Sequence, residues 1–240
     1  MPAFADLTLI PRIIPDNFNA RDCAMVKLLK QNQTAYSGIA MTHLRHANKS
    51  PAHQRAALLE ITRASPTLMR ALRTAREFDL PDWWIVAGAL YNQVFNHLTN
   101  RPDMFGVNDI DLFYFDPDTS YTAEDAIIQN AARHFAPKPP VEVRNQARVH
   151  LWYQQHFGQP YAPLKTAREA IDRFACRTHS VALRLNEDDS FALYAPFGLN
   201  DIFSFRITPN PARNNRATHE TKGARQKAQW PELEIIPWPT

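Results

Sequence analysis

Asp109 and Asp111 stand one residue apart in the run VNDIDLFYFD, with Ile110 between them. Ile110 to Phe115 is β-prone, and a period of two puts both carboxylates on one face and Ile110 on the other. Carboxylates this close repel each other unless a cation sits between them. Magnesium suits the pair, because it takes hard oxygen ligands, few of them from protein and the rest from water or phosphate. Manganese is the alternative ion. Further on, Val141-Glu142-Val143 holds a lone carboxylate between two apolar residues. If its strand lies beside the first, Glu142 faces the same cluster.

Upstream, Trp84-Ile85-Val86 reads as a short buried strand, and Ala87-Gly88-Ala89 as a small-residue turn that opens a helix. Free N–H groups at a helix start attract anions, and a side chain at Gly88 would obstruct a phosphate. Such a set suits transfer of a phosphate-bearing group. Two metals about 3.5–4 Å apart can stabilise both the attacking and the leaving oxygen, and three carboxylates would neutralise most of their charge. Asp109, Asp111 and Glu142 are thus the candidate catalytic and metal-binding residues. Gly88, Ala89, Asn92 and Arg144 are the candidate nucleotide-binding residues.

Each feature also has a plainer reading. Asp-x-Asp on a strand is often a solvated edge, and Glu142 can be a surface residue. Arg144 and Arg148 can form surface ion pairs. Asn145 and His150 can satisfy structural hydrogen bonds, and Asp201 can cap a helix. Cys176 and His179 supply half of a zinc spacing without the other half. Trp83, Trp84 and Phe95 suit a core better than a base-stacking platform.

The elements that must position these residues follow from capping and periodicity. Ser50-Pro51 and Ser65-Pro66 each start a helix; apolar residues recur at helical spacing after both, and Asp79-Leu80-Pro81 stops the second. The texture changes at residue 82. Strands are expected at 84–86, 110–115 and 141–143, the last with room to extend to Leu151, with helices at 89–98 and 122–135 between them. Asn186 to Asp189 marks a hairpin between 180–185 and 190–194, and a short helix is expected within 195–205. Residues 1–20 read as a Pro-punctuated arm and 21–48 as helix-like. Residues 213–227 carry five Lys and Arg against Glu220 and read as a solvated tail.

The 240 residues, 45% hydrophobic and 21% charged, can bury a core. A net charge of +3 and a pI near 8.9 permit a phosphate-bearing partner without the dense basic stripe of a dedicated nucleic-acid binder. Two distant cysteines give no disulfide framework, which suits a reducing cytoplasm. The first residues lack a signal-peptide pattern. The longest apolar run, Trp83 to Leu90, is eight residues, too short to span a bilayer.

The combination resembles the nucleotidyltransferase superfamily: an apolar residue, a small-residue turn, Asp-x-Asp, then a later strand carboxylate. More closely, the stretch from about Trp83 to Pro211 is similar to a nucleotidyltransferase-like family of largely uncharacterised bacterial proteins. WWIVAGALYNQVFNHL, VNDIDLFYFD, VEVRNQARVHLWY and APFGLNDIFSFRITPNP carry that similarity. The resemblance implies an α+β fold, a mixed sheet flanked by helices, here with a helical N-terminal region. Texture and charge divide the chain into an arm and helical region at 1–81, a nucleotidyltransferase-like domain at 82–211 and a flexible basic tail at 212–240. The resemblance also implies magnesium, a nucleoside triphosphate and an acceptor hydroxyl on a small molecule or RNA, with the metal role on Asp109, Asp111 and Glu142 and the phosphate turn at Gly88. A non-catalytic descendant that binds a nucleotide or protein is the alternative. The chain departs from the superfamily pattern in having Ala87 for the first turn glycine, Tyr91-Asn92 after the turn, and 21 positions from Gly88 to Asp109.

Overall fold

The computed structural model describes residues 42–135 and 138–240. The arm and most of the helix-like stretch, up to residue 41, lie outside the described residues; Thr42–Leu44 is a 3-10 turn. Two capped helices follow. In α1 (Pro51–Ala64), Ser50 Oγ accepts from the His53 N–H at 3.3 Å. In α2 (Pro66–Phe78), Ser65 Oγ accepts from the Leu68 N–H at 3.1 Å. Each satisfies an orphan amide of the first turn, and proline sits at N1 where no N–H is needed. Asp79, left-handed at φ 48°, ends α2.

The central sheet has five strands: β1 (Trp84–Val86), β2 (Ile110–Tyr114), β3 (Val141–Asn145), β4 (Ala182–Leu185) and β5 (Phe191–Tyr194), in the order β3-β2-β1-β4-β5. β2 and β3 are parallel, and the other pairs are antiparallel. α3 (Gly88–Leu98) leaves β1, and α4 (Tyr121–His134) provides the crossover that a parallel β2–β3 pair requires. One sheet face, with Ile85, Ile110, Leu112, Tyr114, Val143 and Leu183, joins Leu58, Ile61, Leu68 and Leu72 of the first two helices in the main core. The other face buries Trp84, Val86 and Ala182 under Ala167 and Ile171 of α6 (Ala167–Ile171). The fold is α+β, a mixed sheet flanked by helices, as the sequence leads one to expect.

The structure differs from expectation at the end of β3 and in the stretch from 212. β3 stops at Asn145 instead of reaching Leu151. Asn145 Oδ1 accepts from the Ala147 N–H at 3.0 Å and turns the chain toward α5 (Val149–Phe157), because a short polar side chain competes with the strand ladder. The helices before residue 82 pack on the sheet, and Thr42–Thr240 forms one compact unit. The stretch from 212 is not a solvated tail. After α7 (Asn200–Phe203), β6 (Arg206–Ile207) pairs in parallel with β7 (Glu234–Ile235), and α8 (Arg216–Gln229) links them. Trp230 and Leu233 are fully buried, and Trp230 Nε1 donates to Asn96 Oδ1 at 3.0 Å. His219, Gly223 and Gln226 recur along the buried face of α8, a helical period that the charges between them conceal.

Candidate active site

The register brings the sequence-derived residues together. Val86 lies opposite Asp111, and on the other side Asp111 lies opposite Glu142. Cross-strand partners share a face, so Asp111 and Glu142 stand on the side away from the main core. The turn that follows Val86 lies at the same end of the sheet as Asp109, which immediately precedes β2. The Asp111 carboxyl is pushed up to about 6, first by burial, next by the charge of Asp109, with Glu142 adding to it and Lys222 and Arg144 opposing it. Glu142 is exposed and forms an ion pair with Arg144 at 3.3 Å. Among the described residues, no three His, Cys, Asp or Glu side chains form a group that could hold a metal ion. Asp109, Asp111 and Glu142 are therefore electrostatic neighbours rather than a closed metal cage.

The turn has its own signature. Ala87 adopts φ 52°, ψ −114°, a backbone region that an L residue enters at a cost of about 1–3 kcal/mol. Its N–H donates to Val181 O at 2.9 Å, and its carbonyl accepts from the Leu90 and Tyr91 N–H groups at 2.9 and 3.1 Å. These bonds hold the turn in place. No side chain among the described residues caps α3, leaving the N–H groups of Gly88 and Ala89 available. A Cβ added at Gly88 would meet nothing closer than Asn92 Nδ2 at 3.7 Å and Tyr91 Oη at 3.9 Å. Internal packing therefore does not demand glycine there. Asn92 is only 6% exposed, and its Oδ1 has no hydrogen-bond partner among the described residues. A buried amide oxygen left unpaired calls for an explanation, and it lies beside this turn.

The other candidates separate from the site. Arg148 Nε lies 3.1 Å from Glu124 Oε2, though not aligned for a hydrogen bond, and the side chain also donates to Ser120 O. Asn145 Nδ2 donates to Asp116 O at 2.9 Å and Asp118 O at 3.2 Å, a structural role at the end of β3. Trp83, Trp84 and Phe95 are buried in the core. The Cys176 thiol, pushed up to about 12 by burial, lies 3.1 Å from His219 Nδ1, while His219 Nε2 bonds Ile236 O at 2.9 Å. Since a carbonyl only accepts, Nε2 carries the ring proton and Nδ1 accepts a hydrogen bond from the thiol.

Sequence reasoning missed the part that α8 plays. Gln226 Nε2 donates to Tyr91 Oη at 2.7 Å, and Gln226 Oε1 accepts from His179 Nε2 at 3.0 Å. The His179 ring stacks on Tyr91 with centroids 4.6 Å apart. Burial, with Lys222 adding, lowers His179 to about 3, so it stays neutral. The one available signal was the spacing of His219, Gly223 and Gln226. The long segment before Asp109 is tied down too. Asp103 Oδ1 accepts from Ser65 Oγ at 2.6 Å and Gln93 Nε2 at 2.7 Å, and Asn96 Nδ2 donates to Phe105 O at 2.9 Å.

The site is a strained turn at a helix start beside strand carboxylates, and comparison with known proteins shows the family. A family model described as nucleotidyltransferase matches residues 73–235, more than half of the chain, so the chain belongs to that family. Among solved structures, one determined by NMR, described as revealing a CCA-adding enzyme head domain, is similar at 30% identity with a TM-score of 0.64. The match covers 75% of this chain and 95% of that one. No curated protein matches the chain.

Proposed function

We propose that the protein is a magnesium-dependent nucleotidyltransferase that moves a nucleoside monophosphate from a nucleoside triphosphate to an acceptor hydroxyl. The observation that carries this reading is Asp111, a carboxylate held against burial and against Asp109 and Glu142, in register with the strand that feeds the turn at Gly88. Unbalanced negative charge next to an anion-attracting turn is the arrangement a metal–triphosphate complex would complete. The residues fit a magnesium or manganese ion bound by few protein oxygens, with the remaining positions left to water and phosphate. Such an ion would supply positive charge to the attacked phosphorus and to the leaving pyrophosphate.

The protein's own groups do the rest. Asp109 and Asp111 hold the metal, and Glu142 holds it or accepts the acceptor's proton. The amides of Gly88 and Ala89 bind phosphate, Asn92 Oδ1 accepts from a hydroxyl of the bound nucleotide, and Arg144 releases Glu142 to meet phosphate. The acceptor is a small molecule or RNA. No described helix is long and apolar enough to cross a membrane, and a cytoplasmic setting suits a chain with only two cysteines, far apart in sequence. The test is a transfer screen with labelled triphosphates against a cell extract of small molecules and RNA. Label moving to an acceptor in wild type, and not in Asp111→Asn, supports the reading. Transfer retained in Asp111→Asn, or no transfer from any of the four triphosphates to any acceptor, counts against it.

A further inference from the structure

Four described cations lie along α8. Arg216 is engaged by Glu220 at 2.7 Å, and Lys227 donates to Pro231 O and Leu233 O. Lys222 and Arg225 have no hydrogen-bond or ion-pair partner among the described residues and are exposed. Lys222 falls on the flank of the inward face, one turn before Gln226. Gln226 reaches Tyr91 Oη at 2.7 Å, and that oxygen lies 3.9 Å from where a Cβ on Gly88 would stand. Two linked contacts thus seat this face of α8 over the first turn of α3. The charge of Lys222 also opposes the upward shift at Asp111, in keeping with a place on the site's side of the helix. Lys222 nevertheless forms no ion pair with Asp111. Gly223 fixes the approach, because a Cβ there would meet Ile235 Cγ2 at 3.2 Å.

We propose that Lys222 is the site's mobile counter-charge for the triphosphate, delivered by the C-terminal helix to the phosphates that the turn at Gly88 holds. This rests on the reading above and deepens it: a segment that looks like a basic tail becomes a wall of the substrate site. A lysine suits the task because its ammonium is a compact charge on a flexible stem, able to follow the chain of phosphates without a fixed partner. Arg225, further round the helix, is not needed for the site.

The test titrates magnesium tripolyphosphate, which has no base, into the full-length wild type and into Lys222→Ala, Lys222→Arg and Arg225→Ala. Binding of manganese alone is read separately by electron paramagnetic resonance. A hydrogen bond to a charged group contributes about 1.5–3 kcal/mol. Lys222→Ala should therefore bind tripolyphosphate at least about tenfold more weakly. Lys222→Arg should recover most of that loss, Arg225→Ala should bind like wild type, and manganese alone should bind no more weakly in any of them. Equal tripolyphosphate affinity in Lys222→Ala and wild type overturns this inference while leaving the magnesium and nucleotide reading intact. Weaker manganese binding in Lys222→Ala overturns it by making Lys222 structural. Absence of tripolyphosphate binding in wild type overturns both.

Discussion

Asp111 lies in register with Val86 on one neighbouring strand and Glu142 on the other, and burial and its acidic neighbours push its carboxyl up to about 6 from an ordinary 3.8. The folded protein therefore binds this proton more tightly than the unfolded chain. The resulting stability is fully present below about 3.8 and is lost as pH rises through about 6. In chelator-treated protein, Asp111→Asn should flatten that decline and melt higher than wild type at pH 7.5. Thermal denaturation from pH 4 to 8 checks this, and a steeper decline in the variant would contradict it. Ala87 yields a second prediction at this scale. Its φ of 52° and ψ of −114° suit glycine, so Ala87→Gly should stabilise the protein by about 1 kcal/mol, the strain released less glycine's added entropy when unfolded. A loss of stability in chemical denaturation would show that the turn carries no strain. Asp109, Asp111, Glu142, Gly88 and Asn92 were legible as candidates from residue type and spacing. The unusual conformation at Ala87 was not, because alanine announces an ordinary backbone.

Periodicity disclosed the elements that build the site, and charge concealed one of them. Ser-Pro starts marked α1 and α2, alternation marked β2, and Asn186 to Asp189 marked the β4–β5 hairpin, since each signal is local. α8 was hidden because its buried face consists of His219, Gly223 and Gln226, none of them large and apolar, while its cations read as a solvated tail. Its anchor lies outside the helix, in Trp230 against Asn96 and Phe95. Trp230→Ala should thus cost about 3–5 kcal/mol, and truncation after Pro211 should leave a chain that does not fold cooperatively. Calorimetric melting distinguishes this from a dispensable tail, whose removal would leave the transition unchanged. The stop of β3 at Asn145 was likewise missed: Asn145 turns the chain through its bond to the Ala147 N–H, and the contacts with Glu124, Asp116 and Asp118 that hold it there form only in the folded protein.

At the scale of the whole molecule, the turn at Ala87–Ala89, the carboxylates of β2 and β3 and the helix α8 come from three distant stretches of sequence. One compact unit, Thr42–Thr240, brings them to one end of the sheet. Its energetics are coupled: the acidic cluster opposes folding at neutral pH, and a divalent cation should reverse that. The family is shown by a match over residues 73–235, and metal-dependent nucleotide binding is the central claim built on it. The most direct measurement is calorimetric titration of ATP, CTP, GTP and UTP into wild type and into the Asp109→Ala, Asp111→Ala double variant, with and without magnesium. At least one triphosphate should bind wild type only when magnesium is present, and its heat should vanish in the double variant. Binding of the same strength in the double variant, or binding indifferent to magnesium, would contradict the metal role of Asp109 and Asp111.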